Sequence, residues 1–206
     1  MYSAFAQIYD AWQRLYGTEY AILVAPRVNQ RLRDHVGRPH RLLDLGCGTG
    51  THALLQCHGG TEVIGLDISP AMVEQARTRA KCEGKPVQFV IGDMRSLDIE
   101  QSVDAVTCLY ASLNHLLGPS DLSQVFRKVS QHLRPGGVFV FDLNSRVAFE
   151  TLWRTPITER GRDFTLHRKF EVSGAVTTMH LDIEHAGSER THETLIARWF
   201  KAENVC

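Results

Sequence analysis

Three aspartates, at positions 44, 67 and 93, each close a short apolar run. The first sits in a glycine-rich stretch, Leu42-Leu43-Asp44-Leu45-Gly46-Cys47-Gly48-Thr49-Gly50. Gly46 and Gly48 let the backbone turn tightly and approach a ligand where a Cβ would collide. Asp44 faces the same turn, and a carboxylate there suits a cationic group. Asp67 stands 21 residues after Gly46, the spacing at which an acid accepts both hydroxyls of a ribose. Asp93, in Ile91-Gly92-Asp93-Met94, can accept from an adenine amino group while Met94 packs on the ring. Each feature has a plainer origin when it stands alone. A GxG can be a ligand-free strand-to-helix turn, and an acid after a strand is an ordinary loop residue. Acids at three successive strand ends, one of them on a glycine turn, are a stronger signal.

These side chains need a scaffold that brings strand ends together. Strands are expected at Arg41–Leu45, Thr61–Leu66, Val87–Ile91, Val103–Leu109 and Val138–Phe141. Between them lie helical patterns. One starts near Thr51. The next is capped by Ser69 with Pro70 at its first position, and Met72, Val73, Ala76 and Ala80 line its inner face. Another starts at Ser120 or Asp121, carries an apolar stripe over Leu122, Val125, Phe126, Val129 and Leu133, and is stopped by Pro135-Gly136-Gly137. Apolar strands separated by helices imply a doubly wound α/β domain with a parallel sheet. Residues 1–36 read as helical, with Thr18 as a cap and Pro26 as a kink. Beyond about residue 160 the period becomes two. Phe164, Leu166, Phe170 and Val172 alternate, with an interruption at Arg168; turns follow at Ser173-Gly174 and Ala186-Gly187-Ser188, and a last strand runs from Thr191 to Phe200. This is an antiparallel meander with one solvated face.

The chain has 206 residues, 43% hydrophobic and 22% charged, and equal numbers of basic and acidic side chains, 23 each. One domain of this size buries a sufficient core without disulfide or metal staples. Zero net charge argues against nucleic-acid or membrane-surface partners. Five cysteines, an odd number without a CxxC, together with the lack of a secretory pattern at the start, point to a reduced, cytoplasmic setting. Cys57-His58 lacks a second pair at zinc spacing, so no metal site is expected. The ten histidines read mostly as surface or satisfied core residues.

At this point the chain resembles the class I S-adenosylmethionine-dependent methyltransferases. The segments that carry the resemblance are LLDLGCGTG, VIGLDIS, VIGDM, VDAVTCLYASLNHL and LRPGGVFVFDLNS, in order over about residues 40–145. The opening YSAFAQIYD is similar to the lead-in of small-molecule members. The resemblance implies a Rossmann-like core at residues 37–150, an N-terminal helical lid at 1–36 and an antiparallel substrate lid at 151–206. It implies S-adenosylmethionine as cofactor and S-adenosylhomocysteine as product. The Gly46–Gly50 loop, with Cys47, would hold the methionine part, with Asp44 near its ammonium. Asp67 would take the ribose hydroxyls, and Ile68 and Met72 would flank the adenine or ribose. Asp93 and Met94 would hold the adenine. Leu109 and Tyr110 would lie beside the sulfonium, and Tyr9 could close over the cofactor and reach its carboxylate. A nicotinamide dehydrogenase is the competing nucleotide reading, but position 51 is Thr where GxGxxG has Gly, and no Tyr-x-x-x-Lys pair follows.

Methyl transfer from a sulfonium needs alignment above all, and positioning can supply roughly 7–11 kcal/mol. An amine acceptor must also lose a proton; with a pKa three units above ambient, that costs about 4 kcal/mol. His115 and Tyr110 are the candidates for catalysis, His115 as proton acceptor or orienting group. Asn114, His115 and Asn144 are the candidates for contact with a small-molecule acceptor that offers N or O. Arg168 and His180 are expected on the polar side of the meander. Many relatives carry an acid where this chain has Ala111. The family's last helix and hairpin are not recognisable after Phe200, so the fifth strand is expected to leave an open edge, and a homodimer is expected to cover it. A cofactor-binding protein without transfer, or a protein or RNA methyltransferase, remains the alternative.

Overall fold

The structure is a computed structural model and describes residues 2–205 apart from 186 and 188. Five parallel strands form the main sheet: β1 (Arg41–Leu45), β2 (Glu62–Asp67), β3 (Gln88–Ile91), β4 (Val103–Cys108) and β5 (Leu133–Phe141), in the spatial order β3-β2-β1-β4-β5. The order reverses between β1 and β4, and this is where an open α/β sheet forms its ligand crevice.

Strand alternation assigns the two faces. Leu42 of β1 and Ala105 of β4 pack with Val28, Leu32, Ala53, Val73, Ala76 and Phe89. These residues bring in α2 (Tyr20–Val36), α3 (Thr51–Gln56) and α4 (Pro70–Glu83). Leu43 and Leu45 of β1 and Val106 of β4 point the other way, onto Leu122, Val125 and Val129 of α5 (Pro119–His132). Ser69 caps α4 by accepting from the Met72 backbone N–H, and Pro70 opens the helix, so the sequence signal at that boundary holds.

Two expectations change. Thr18 does not cap α2; Glu19 precedes it in extended conformation without a side-chain cap. Glu19 is instead buried between Arg14 at 3.0 Å and Arg79 at 3.3 Å, and it accepts from the Thr51 hydroxyl at 2.6 Å. Charge pairing under the helix start has outweighed capping. Pro135-Gly136-Gly137 does not separate α5 from β5, since the strand starts at Leu133. The register slips instead, with Val103 opposite Leu133 and Ala105 opposite Val138, so the extra residues bulge inside the strand. Between β5 and the later strands come α6 (Arg146–Leu152) and β6 (Ile157–Arg160).

The second sheet is antiparallel in the order β6-β7-β8-β9, with β7 at Phe164–Ser173, β8 at Val176–His185 and β9 at Thr191–Arg198. Residues 186 and 188 of the expected second turn lie outside the described residues. The inner face, with Phe164, Leu166, Leu181, Ile183 and Leu195, packs on Phe5, Ile8 and Trp12 of α1 (Phe5–Arg14). Arg168 does not join the polar face. It keeps the inward register, pairs with Glu159 at 2.7 Å and lays its guanidinium 5.3 Å from the Trp12 ring centroid. A partner carboxylate and an aromatic face make an inward arginine tolerable there. His180 does lie on the polar side, stacked on His192.

Helix α1 is tied to both sheets. Thr49 donates to Asp10 at 2.6 Å, Trp12 donates to Glu159 at 2.8 Å, and Ser3 donates to Glu193 at 2.7 Å. The outer edge of β5 has no strand partner among the described residues. No helix among them is long and apolar enough to cross a membrane.

Candidate active site

The turn after β1 is fixed by the neighbouring strand, because the Gly46 and Cys47 N–H groups both donate to the Leu66 carbonyl, at 2.7 and 3.1 Å. Gly46 has φ of +65°, and a Cβ there would lie 2.6 Å from the Ser112 hydroxyl. Gly46 and Gly48 both line the crevice. Gly50, expected to do the same, lines neither part of it. A Cβ at Gly50 would meet Phe89 at 2.7 Å and Ala76 at 3.0 Å, so its role is to let α3 and the sheet close together.

The crevice has two compartments. The larger, about 330 Å³, is lined by Tyr2, Tyr9, Asp67, Ile68, Met72, Asp93, Met94, Tyr110 and His115, among others. The smaller, about 60 Å³, is lined by Tyr9, Asp44, Cys47, Leu109, Tyr110, Gln13, Tyr20 and His52, among others. Tyr9, Gly46, Gly48, Tyr110 and Ser112 border both.

Asp44 is buried on β1, and its carboxylate accepts from the hydroxyl of Thr107, its register partner on β4, at 2.8 Å. Burial pushes its carboxyl up to about 7; the Asp67 charge adds to that, while hydrogen bonds from Thr107 and the Ala53 backbone oppose it. Asp67 ends β2, one carboxylate oxygen accepting from the Gly48 N–H and the other from the Ser69 N–H, both at 2.8 Å. Burial raises its pKa against those two backbone bonds. Asp93 differs. The Arg95 guanidinium and N–H beside it hold its carboxyl below the usual range. It reaches the larger compartment already half-occupied by an arginine that sequence reasoning overlooked.

Tyr110 follows β4 and stacks on Tyr20 with centroids 4.7 Å apart, and Tyr9 lies 6.3 Å from it. Tyr110 and Ala111 both take left-handed backbone, φ +59° and +58°, which costs roughly 1–2 kcal/mol for each non-glycine residue. Asp142 holds them there by accepting the Tyr110 N–H at 2.9 Å and the Ala111 N–H at 2.5 Å, while Tyr20 donates its phenol at 3.0 Å. Burial raises the Tyr110 phenol to about 12, so it stays protonated near neutral pH.

The expected acceptor residues are placed differently from one another. His115 borders the larger compartment, but both its ring nitrogens are engaged: Nδ1 with the Ile196 carbonyl and Nε2 with the Tyr2 hydroxyl, each at 2.9 Å. The carbonyl can only accept, so Nδ1 carries the proton and Nε2 accepts from Tyr2. Burial lowers the His115 pKa. Asn114, expected to face an acceptor, is wholly buried. It donates to the carbonyls of Asn144 and Arg198 and accepts from the Asn144 N–H, stitching β9 to the end of β5. Asn144 takes part through its backbone and borders neither compartment. Sequence reasoning missed Tyr2, Gln13, Tyr20 and His52. Gln13, the only one of these that its own helix pattern could have flagged, is a buried polar residue on an otherwise apolar stripe of α1.

The methyltransferase-domain family matches residues 42–137. A dTDP-4-amino-2,3,4,6-tetradeoxy-D-glucose N,N-dimethyltransferase of Saccharopolyspora spinosa is 36% identical over 137 residues, covering 66% of this chain and 53% of that protein. The chain spans about half the length of the curated relatives it matches. The S-adenosylmethionine-bound structure of CalS10, an amino pentose methyltransferase from Micromonospora echinaspora, aligns over 96% of this chain and 84% of that one, at TM-score 0.77 and 30% identity. A methyltransferase from Clostridium acetobutylicum shares the fold at TM-score 0.85 and 22% identity, covering 99% and 84% of the two chains. The glycine turn, the acid-bearing strand ends and this match across nearly the whole fold lead to one conclusion: the chain belongs to the class I S-adenosylmethionine-dependent methyltransferases.

Proposed function

We propose that the chain transfers a methyl group from S-adenosylmethionine to the nitrogen of a small-molecule amine, with an amino sugar carried on a nucleotide as the first acceptor to test. One observation carries the reading. Two joined compartments offer a buried acid, Asp44, at the amino-acid end and two further acids, Asp67 and Asp93, at the nucleoside end. The cradle fits the cofactor by charge, since Asp44 lines its compartment and, among the described residues, no basic side chain pairs with it. The amino-sugar acceptors of the similar N,N-dimethyltransferase and of CalS10 support nitrogen as the target.

When bound, the cofactor supplies a methyl group already activated on a sulfonium. What remains for the chain is alignment and exclusion of water. Tyr9 and Tyr110 border both compartments and Tyr20 stacks on Tyr110, giving aromatic faces that favour a cation over water. Their phenols stay protonated, so none of them serves as a base. Each oxygen can still accept an N–H from the incoming amine and orient its lone pair. The open edge of β5 supports a homodimer formed by strand addition.

The test is radiolabelled methyl transfer from S-adenosylmethionine to a panel of nucleotide-linked amino sugars, set beside protein and RNA pools. Label in the small amines is expected. Label confined to protein or RNA, or none despite tight S-adenosylhomocysteine binding, would overturn the proposal.

Asp44 gives the binding step a pH signature. Its carboxyl holds a proton up to about 7 in the free protein, and seating an ammonium there expels that proton. Affinity for S-adenosylhomocysteine is expected to fall about tenfold per pH unit below that value and to level off above it. Calorimetry in buffers of different ionisation enthalpy counts the proton. A flat profile would separate the ammonium from Asp44. Ligand-free stability runs the other way: the folded carboxyl binds its proton more tightly than the unfolded one, so stability falls as pH rises from about 4 to about 7.

His115 and the Tyr2 phenol bonded to it both border the larger compartment. Tyr2→Phe is therefore expected to reproduce most of the turnover lost in His115→Ala, because both break the same bond. A Tyr2→Phe enzyme as fast as the parent, beside a slow His115→Ala, would return a direct role to the imidazole.

A further inference from the structure

Among the described residues, His52 is the histidine with both ring nitrogens buried and without a hydrogen-bond partner. It lies on α3 and is 3% exposed. A buried imidazole left this way is unfavourable, since both nitrogens lose their water. The residue lines the smaller compartment, as do Asp44, Gln13 and Tyr20.

The charges in that compartment divide the amino-acid end of the cofactor in two. Asp44 attracts the ammonium and repels the carboxylate attached to the same carbon. The carboxylate needs donors elsewhere in the compartment. The protonated phenols of Tyr9 and Tyr110 border it, and two nitrogen donors stand beside them. Gln13 accepts the Tyr20 backbone N–H through its carbonyl at 3.0 Å, which leaves its NH₂ as one donor. His52 is the other.

We propose that His52 binds the α-carboxylate of the cofactor through a ring N–H, opposite Asp44, and so selects ligands with a complete amino-acid end. This rests on the reading of the crevice as an S-adenosylmethionine site. Burial holds the imidazole neutral, its pKa lowered to about 4. It therefore keeps one N–H and one lone pair across the working range, and adds no charge that would compete with the ammonium for Asp44.

The experiment compares S-adenosylhomocysteine with 5′-methylthioadenosine, which shares the nucleoside and sulfur but lacks the ammonium and carboxylate. Calorimetry on the full chain gives both affinities. His52→Ala is expected to weaken S-adenosylhomocysteine about 10- to 100-fold, the range for a hydrogen bond to a charged group, and to leave 5′-methylthioadenosine unchanged. His52→Asn, which retains a donor, is expected to recover part of the loss. Equal weakening of both ligands, or of neither, would overturn the assignment. A measurement on the unsubstituted protein does not depend on how the variants fold: the ¹⁵N resonances of His52 are expected to move with S-adenosylhomocysteine and to stay in place with 5′-methylthioadenosine. Resonances unmoved by either bound ligand would also overturn it. Failure of the parent chain to bind either nucleoside is a distinct result, which removes the adenosyl reading of the crevice itself.

Discussion

Replacing Asp67 by alanine is expected to weaken S-adenosylhomocysteine binding by about 2–3 kcal/mol, roughly 30- to 150-fold. Two effects act together. The ribose hydroxyls lose a charged acceptor, and the Gly48 and Ser69 N–H groups lose the oxygens that now hold them at 2.8 Å. The second effect makes Asp67→Asn a poor rescue. Both carboxylate oxygens face backbone donors, so one amide NH₂ would point at another N–H. Calorimetry on both variants, with circular dichroism to verify the fold, reads the outcome. Affinity unchanged in Asp67→Ala would remove this residue from ribose recognition.

The largest effect on turnover is expected at Asp142, which sequence reasoning did not single out. Its carboxylate holds two consecutive left-handed residues, Tyr110 and Ala111, and the phenol of Tyr20. In Asp142→Ala both backbone donors lose their partner, and the turn relaxes towards ordinary dihedrals. Tyr110 then leaves its stack on Tyr20 at the junction of the compartments. A displacement of about 1 Å at a reacting centre costs roughly 10²-fold in rate, so turnover should fall by about that factor, with S-adenosylhomocysteine affinity reduced less than about fivefold. Stopped-flow or radiolabel kinetics beside calorimetry separate the two. A proportional loss of both would mean that Asp142 supports the whole crevice and not the Tyr110 turn alone.

The comparison of sequence with structure divides along physical lines. The five strands of the main sheet and the capped start of α4 were legible because each depends on local pattern: an apolar run, a glycine, or Ser69 before Pro70. Asp44, Asp67 and Asp93 could be placed at the crevice from sequence because each stands at or just past the carboxyl end of a parallel strand. Long-range charge was not legible. Nothing near Glu19 announces that Arg79 will reach it, and nothing near Arg168 announces Glu159 or the Trp12 ring. Arg168 therefore read as an interruption of an alternation that it in fact continues. Asn114 misled for a related reason: its place after β4 suggested a ligand, and only the fold of the second sheet brings the Arg198 carbonyl to it. His52 was passed over because burial without partners cannot be read from a single position in a chain.

Helix α1 has a kinetic consequence. Tyr2 and Tyr9 stand over the nucleoside cavity, and the helix between them and Trp12 is clamped to Thr49 on one side and Glu159 on the other. If the crevice takes the cofactor as proposed, exchange of spent cofactor for fresh requires loosening of that clamp, so a Thr49→Val variant is expected to release S-adenosylhomocysteine faster than the parent in stopped-flow displacement.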